Sequence, residues 1–366
     1  MSERVLWIDV AKVLTMILVV LGHSTYYKIL TNYGGIDFSN VSALQSTIYR
    51  VLSTLTGFIY TFHMPFFMAL SGMTFSMTYI KSRSISSLVS KKFQRLLIPF
   101  FFVTLFISVP LKIGGGYYDH SEHPFWDIVF GQFLLFGNSH LWFVVSLFII
   151  TIVFCFLCKF LKFRGGIIFW IVSLLVAYLG LFCERFGGFF GLPGAMRNFI
   201  FFALGFVLFN RINKWEIKKI NILVIFLSWV IMFLVFLIIT QVNNHLKGFS
   251  FFTYIPMALW GCVNMTSTCK YISYYMNFKS SLFTSLNKES YNIYLFSDPF
   301  NYVFIPVAAL VMGAEIVDKE STSLLIYILR VLTSIIFAYL IIWGIKLIRQ
   351  SSAFFIKKIK DLNASR

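Results

Sequence analysis

The sequence predicts an all-α, polytopic integral membrane helical bundle with about ten transmembrane helices. Of the 366 residues, 58% are hydrophobic and only 12% are charged, whereas about a quarter of the residues of a soluble domain are charged. The apolar residues also occur in runs of about twenty, the length that crosses a hydrocarbon core about 30 Å thick. This composition excludes a soluble enzyme.

Ten windows of the sequence are predicted to span the membrane. They cover residues 6–29, 56–80, 96–112, 140–158, 166–184, 197–211, 220–241, 251–269, 290–313 and 322–347. Most lysines and arginines outside the windows fall on the side of the N-terminus, so the positive-inside rule places both termini in the cytoplasm. The net charge of +17 therefore reflects topology and not nucleic-acid binding. We divide the chain into a transmembrane domain, residues 1–350, and a basic cytoplasmic tail, residues 351–366.

The first window carries Asp9, Lys12 and His23 in an otherwise apolar run. At about 100° per residue, Lys12 and His23 point within roughly 20° of each other, and Asp9 lies within about 60° of Lys12. An ionisable side chain at membrane depth costs about 3 kcal/mol or more, so a helix keeps it where it faces protein or a water-filled cavity. We interpret this face as functional. Alternatively, Lys12 anchors the helix at the cytoplasmic surface beside Asp9, and His23 bonds to a loop.

The second window places His63 before Pro65 and carries the small pair Ser71 and Gly72 further on. His63 lies at a depth similar to that of His23, so the two imidazoles are expected to converge on one cavity. The small pair allows another helix to approach closely. In the alternative interpretation, His63 only satisfies the turn that the proline interrupts.

Two pairs of residues lie at the predicted membrane surfaces. Lys92 and Arg95 are three apart and share a helical face, where they can bind phosphates or simply set the topology. His140 and Trp142 lie at the outer start of the fourth window, where tryptophan is expected in any case.

The ninth window contains a carboxylate, Asp298, next to a proline. Such a residue needs a partner, and Arg330 in the last window is the candidate. No metal site is predicted. The loop richest in metal-binding side chains offers them without a fixed helical spacing: Asp119, His120, Glu122 and His123. The five cysteines are interpreted as core residues.

The motifs in their order resemble the acyltransferase family 3 membrane proteins, in particular the fucose 4-O-acetylase-like branch. The resemblance rests on Ile8-Asp9-Val10-Ala11-Lys12, Val19-Val20-Leu21-Gly22-His23-Ser24, Phe62-His63-Met64-Pro65-Phe66-Phe67 and Leu70-Ser71-Gly72. It continues with Arg95-Leu96-Leu97-Ile98-Pro99, His140-Leu141-Trp142-Phe143, Phe201-Phe202-Ala203-Leu204-Gly205-Phe206 and Ile293-Tyr294-Leu295. Many relatives have a histidine after the last motif, where this sequence has Ser297-Asp298.

The resemblance implies a multi-pass enzyme of the bacterial inner membrane. Such an enzyme moves an acetyl group from cytoplasmic acetyl-CoA to a hydroxyl of a cell-surface or lipid-linked sugar, and it uses no metal. Its expected partners are the glycan acceptor and membrane lipids, and not nucleic acid. The family's site residues fall on Lys12, His23, Arg95, Ser71 and Gly72, whereas Ser297-Asp298 departs from the family's pattern. Joined to the residue chemistry above, the resemblance predicts His23, His63, Asp9 and Lys12 for catalysis, Lys92 and Arg95 for the nucleotide end of acetyl-CoA, and His140, Trp142, Ser71 and Asp298 for the acceptor. Two alternatives stay open, a transporter or flippase for a polysaccharide precursor and a glycan polymerase, because broken helices and buried charges also mark transport paths.

Overall fold

The computed structural model describes residues 5–25, 28–31, 33–37, 46–79, 84–121, 123–136, 139–160, 166–216, 221–246, 248–276 and 280–364. The side chains of residues 30, 120, 318 and 352–364 are not among those described. Across these ranges the chain is a bundle of helices with one short hairpin, so the predicted all-α membrane fold is confirmed.

The helices of the described ranges are α1 (Leu6–His23), α2 (Thr47–Tyr60), α3 (His63–Tyr79), α4 (Ile85–Lys92), α5 (Ile98–Val103), α6 (Val109–Gly114), α7 (Phe125–Phe133), α8 (Trp142–Phe160), α9 (Ile167–Cys183), α10 (Leu192–Lys214), α11 (Ile222–His245), α12 (Phe249–Tyr275), α13 (Ser281–Ser297), α14 (Asn301–Met312), α15 (Ala314–Asp318) and α16 (Ser323–Ala364). Because α16 is continuous across residue 350, the division between domain and tail stays a prediction.

Nine stretches of the described chain are long and apolar enough to cross a membrane: Leu6–His23, Thr47–Tyr79, Ile85–Gly114, Trp142–Lys159, Ile167–Phe186, Phe189–Lys214, Ile222–His245, Ser281–Met312 and Glu320–Ser351. Nine of the ten predicted windows overlap them. The remaining window, 251–269, lies in α12, which is helical over 27 residues. This helix is less apolar because it buries Asn264, Thr266 and Lys270 in the protein interior.

The segment after α1 differs from the prediction. The first helix ends at His23 and not at residue 29, and two strands follow it, β1 (Lys28–Thr31) and β2 (Gly34–Asp37). They pair antiparallel, and Lys28 and Asp37 at the open end form an ion pair of 2.8 Å. The end of the bundle that carries this hairpin is called the hairpin end below.

Helices α4, α5 and α6 form one interrupted rod, joined by π-helical turns at Phe93–Leu97 and Thr104–Ser108. Pro99 and Pro110 are each the second residue after one of these turns. A proline inside a helix removes one N–H donor and clashes with the carbonyl four residues earlier, so the preceding turn widens.

The predicted close helix approach is observed between α3 and α10. A Cβ atom on Gly72 would lie 2.0 Å from the carbonyl oxygen of Phe202, and one on Gly205 would lie 2.0 Å from that of Ala69. Any side chain at these two positions would push the helices apart. Helix α1 lies at the centre of the bundle, where it packs against α3, α12 and α13.

Candidate active site

Three segments that are distant in sequence bring two histidines and a carboxylate together at the hairpin end. His23 is the last residue of α1, His140 precedes α8, and Asp298 follows α13. Oδ1 of Asp298 lies 2.7 Å from Nδ1 of His23, and Oδ2 lies 3.0 Å from Nδ1 of His140. The carboxylate is almost fully buried, with 4% of its side chain exposed. Each of its oxygens therefore has an imidazole partner.

The hydrogen bonds indicate how the protons are distributed. Nε2 of His140 lies 3.0 Å from the carbonyl oxygen of Leu295, so both ring nitrogens of His140 face acceptors. Only the doubly protonated ring can donate from both nitrogens. A positively charged His140 balances the buried charge of Asp298. His23 can then stay neutral, with its Nδ1–H donating to Asp298, and proton transfer on this ring falls to Nε2.

A buried arginine supports two of these residues from α16. Arg330 donates from Nε to Oδ1 of Asn301 at 3.0 Å, from Nη2 to the carbonyl oxygen of Asn301 at 2.9 Å, and from Nη1 to that of Ser24 at 3.4 Å. Asn301 lies one helical turn after Asp298, and Ser24 follows His23. The prediction that Asp298 pairs with Arg330 was therefore wrong. The carboxylate pairs with the two histidines, and the guanidinium binds backbone carbonyls beside them.

A cavity of 240 Å³, called the histidine cavity, lies against this group. It is lined by His23, Tyr60, His63, Met64, His140, Trp142, Arg197, Tyr254 and Tyr294. The predicted convergence of His23 and His63 is thus observed. Nδ1 of His63 lies 2.9 Å from the carbonyl oxygen of Ile59, so His63 also satisfies the interrupted turn, as the alternative interpretation held.

A second cavity of 180 Å³, called the basic cavity, lies further along α1 toward its N-terminus. Its polar lining includes four cations, Lys12, Lys92, Arg95 and Lys288. Nζ of Lys12 lies 3.2 Å from Oδ1 of Asp9. The first-helix face is therefore confirmed as inward-facing, but its two ends serve different cavities.

Three aromatic rings separate the two cavities. Phe67 and Phe143 line the basic cavity, and Tyr294 lines the histidine cavity. The ring centroids lie 4.8 Å apart for Phe67 and Phe143, 5.7 Å for Phe143 and Tyr294, and 6.1 Å for Phe67 and Tyr294. The hydroxyl of Tyr294 donates to the carbonyl oxygen of His140. We call these residues the aromatic trio.

The predicted acceptor residues divide between these sites. His140 and Asp298 bond to each other beside His23, and Trp142 lines the histidine cavity. Ser71 lies in the basic cavity instead, where its hydroxyl donates to the carbonyl oxygen of Phe67 at 2.9 Å. Ser71 is therefore not beside the residues with which it was grouped.

Sequence reasoning missed several residues of these cavities, among them Lys288, Tyr294 and Arg197. Lys288 counted only as one more basic residue of a connecting segment, and Tyr294 only as part of a motif. Arg197 begins the sixth predicted window, and an arginine in a membrane window was a signal that could have marked it. Its guanidinium lies over the rings of Trp142 and Tyr254, at 5.1 and 5.4 Å from their centroids.

Metal ligands do not cluster in the described part of the chain. No three His, Cys, Asp or Glu side chains there are arranged to hold a metal ion. Glu122 and the side chain of His120, two members of the polar loop considered above, lie outside what the structure describes.

The family model described as "Acyltransferase domain", that of acyltransferase family 3, matches residues 5–343. The chain belongs to acyltransferase family 3. This membrane acyltransferase carries the family's domain over nearly its whole length, from the start of α1 into α16. No curated protein and no solved structure matches the chain significantly. Membership of this family favours an acyltransferase over a transporter or a polymerase as the explanation for the buried histidines and cations.

Proposed function

We propose that this acyltransferase moves an acetyl group from acetyl-CoA to a hydroxyl of a cell-surface or lipid-linked sugar. The observation that carries the proposal is the alignment of a cationic cavity, an aromatic trio and a histidine–carboxylate group along α1. An anionic donor needs the cationic cavity, and a hydroxyl acceptor needs the histidine–carboxylate group. An enzyme that transfers a group between them needs the two sites close together.

The basic cavity suits the nucleotide end of acetyl-CoA. Lys12, Lys92, Arg95 and Lys288 surround a space of 180 Å³, and phosphate oxygens are the usual ligands of clustered lysine and arginine. Tyr291 donates to the carbonyl oxygen of Arg95 at 2.9 Å, which fixes the backbone beside the cations. In this proposal Lys12, with Asp9 beside it, binds phosphate and takes no part in the acyl transfer.

The pantetheine arm then passes the aromatic trio. The trio closes the space between the cavities, so Phe67 or Tyr294 has to rotate for the thioester to reach His23. Binding of the donor therefore displaces one ring of the trio.

The chemistry begins with a neutral His23. Its Nε2 takes the proton of the sugar hydroxyl while the hydroxyl oxygen attacks the thioester carbonyl. The new C–O bond forms, the C–S bond breaks, and the proton passes from His23 to the departing CoA sulfur. Asp298 holds the ring in the required tautomer and stabilises the transient imidazolium, as the carboxylate of a hydrolase triad does. His63 donates from Nδ1 to the carbonyl oxygen of Ile59, so its Nε2 is an acceptor and can bind a neighbouring hydroxyl of the same sugar, which orients the ring.

The membrane arrangement follows from the positive-inside rule. With α12 as a tenth crossing, the number of spans is even and both termini lie in the cytoplasm, where acetyl-CoA is made available to the basic cavity. We further propose, on the resemblance of its motifs, that the enzyme belongs to a bacterial inner membrane and to the fucose 4-O-acetylase-like branch.

Transfer of radiolabel tests the proposal. Purified protein in lipid nanodiscs is given [14C]acetyl-CoA and glycan extracted from the cells that make this chain, from which mild alkali has removed the native O-acetyl groups. The expected result is alkali-labile label on the glycan, abolished by His23→Gln. His245→Gln, which changes an exposed histidine at the end of α11, should retain full activity. A carrier or flippase would transfer no label, and a fully active His23→Gln variant would remove His23 from the chemistry.

A further inference from the structure

A third cavity of 390 Å³ adjoins the histidine cavity at the hairpin end. Strand β1 contributes Ile29 and Thr31, the connection before α8 contributes Ser139, and the connection between α9 and α10 begins with Glu184. We call it the hairpin cavity. Its volume lies within the range of small-molecule sites, about 300–1,000 Å³.

Two residues line both the hairpin cavity and the histidine cavity. They are Trp142, at the start of α8, and Arg197, in the first half of α10. Because the two cavities share these walls, they are neighbours, and the hairpin cavity has no lining residue in common with the basic cavity. An acceptor held there could extend a hydroxyl past Trp142 and Arg197 into the histidine cavity, while the donor arrives from the basic cavity.

The two charged residues of the hairpin cavity, Glu184 and Arg197, form an ion pair. Nη1 of Arg197 donates to Oε2 of Glu184 at 2.6 Å, and the two side chains stay 17% and 30% exposed. Nε of Arg197 is buried and forms no hydrogen bond with the described residues. A guanidinium beside a carboxylate offers donors and acceptors side by side, which is what a pair of neighbouring sugar hydroxyls can match.

The charge balance of this pair favours an uncharged ligand. Glu184 and Arg197 neutralise each other, so an anionic sugar would find no unbalanced cation there and would lose its hydration. Phe136 and Trp142 add apolar surface for the C–H face of a sugar ring.

We propose that the hairpin cavity binds the acceptor as an uncharged sugar, with Glu184 and Arg197 bonding its ring hydroxyls so that a further hydroxyl reaches His23. This assignment rests on the proposed acetyl transfer, and it names the acceptor's class and the residues that select it.

The test separates the affinity for the acceptor from that for the donor. Half-saturating concentrations of the de-O-acetylated glycan and of acetyl-CoA are measured for Glu184→Gln with the nanodisc assay. We expect the value for the glycan to rise about tenfold, the effect of one charge-assisted hydrogen bond. The value for acetyl-CoA should stay within about twofold of that of the unaltered enzyme. Asp37→Asn is the matched control, because it breaks an ion pair of the same kind on β2, outside the cavity.

A second variant leaves the ion pair intact. Ile29→Trp adds bulk from β1 and should raise the half-saturating glycan concentration by narrowing the cavity, even if Glu184→Gln folds poorly. Unchanged glycan values in both variants, or a change confined to acetyl-CoA, would overturn the assignment. Label confined to the glycan fraction that an anion exchanger retains would overturn the uncharged class. If the unaltered enzyme labels no glycan, the proposed function itself fails, which is a different result.

Discussion

Asp298 and His23 come from opposite ends of the chain and lie 2.7 Å apart, Oδ1 to Nδ1. The same carboxylate accepts from His140 through its other oxygen. The bond to His23 fixes which nitrogen of that ring carries the proton, so the chemistry proposed for His23 depends on Asp298.

Asp298→Asn is expected to lower the turnover number by about 10³- to 10⁴-fold. An asparagine keeps the volume, but its NH₂ group can face only an acceptor nitrogen, which reverses the tautomer of one histidine. The rate is measured with saturating acetyl-CoA and glycan. The double variant with His23→Gln should be hardly slower than either single variant, because the residues act as a unit. Additive losses would contradict the pairing.

Lys92→Gln and Arg95→Gln are each expected to raise the half-saturating acetyl-CoA concentration about tenfold at low salt, because each removes one phosphate partner. The difference should shrink as added salt screens the charges. Titrations at two ionic strengths check this, with Lys214→Gln at the exposed end of α10 as the matched control. An equal effect of Lys214→Gln would indicate general attraction in place of a site.

Phe67→Ala is expected to increase hydrolysis of acetyl-CoA in the absence of glycan by about tenfold, since removing one ring of the trio admits water to the thioester. Release of free thiol measures the reaction. Phe156→Ala on α8 removes a ring that is 56% exposed on the outer surface of the bundle, and should leave hydrolysis unchanged. If Phe67→Ala hydrolyses no faster, the trio is not a barrier.

Arg330→Lys is expected to reduce the turnover number and to destabilise the protein by about 2 kcal/mol. A lysine cannot reach Asn301 and Ser24 together, so both His23 and Asp298 lose support from α16. Thermal unfolding and steady-state rates check the prediction. The half-saturating acetyl-CoA concentration should not change, because the basic cavity is remote. Arg349→Lys, an exposed position on the same helix, is the control.

Helical periodicity was enough to predict the inward face of α1. Lys12 and His23 share that face because of their spacing, and each lines a cavity, as the cost of burying ionisable groups in lipid requires. The same argument identified Asp298 as a buried residue with a partner. These inferences need only local geometry.

The meeting of His23, His140 and Asp298 could not be predicted in the same way. His140 was predicted to be an interfacial residue. The sequence before α8 does not indicate which helix ends lie beside His140. The partner of Asp298 depended on the order in which α1, α8 and α13 pack, and sequence spacing does not encode that order. The hairpin was missed for a related reason: four-residue strands are too short for a clear alternation of polar and apolar residues.

The aromatic trio has a consequence for the cell as well as for the reaction. An enzyme that takes its donor from one face of a membrane and its acceptor from the other risks becoming a leak. In the proposed transfer, the three rings close the path between the two cavities, so protons and ions meet an apolar layer inside the protein as they do in the surrounding lipid. If the proposed transfer takes place, an interior donor can therefore modify an exterior acceptor while the membrane potential is preserved.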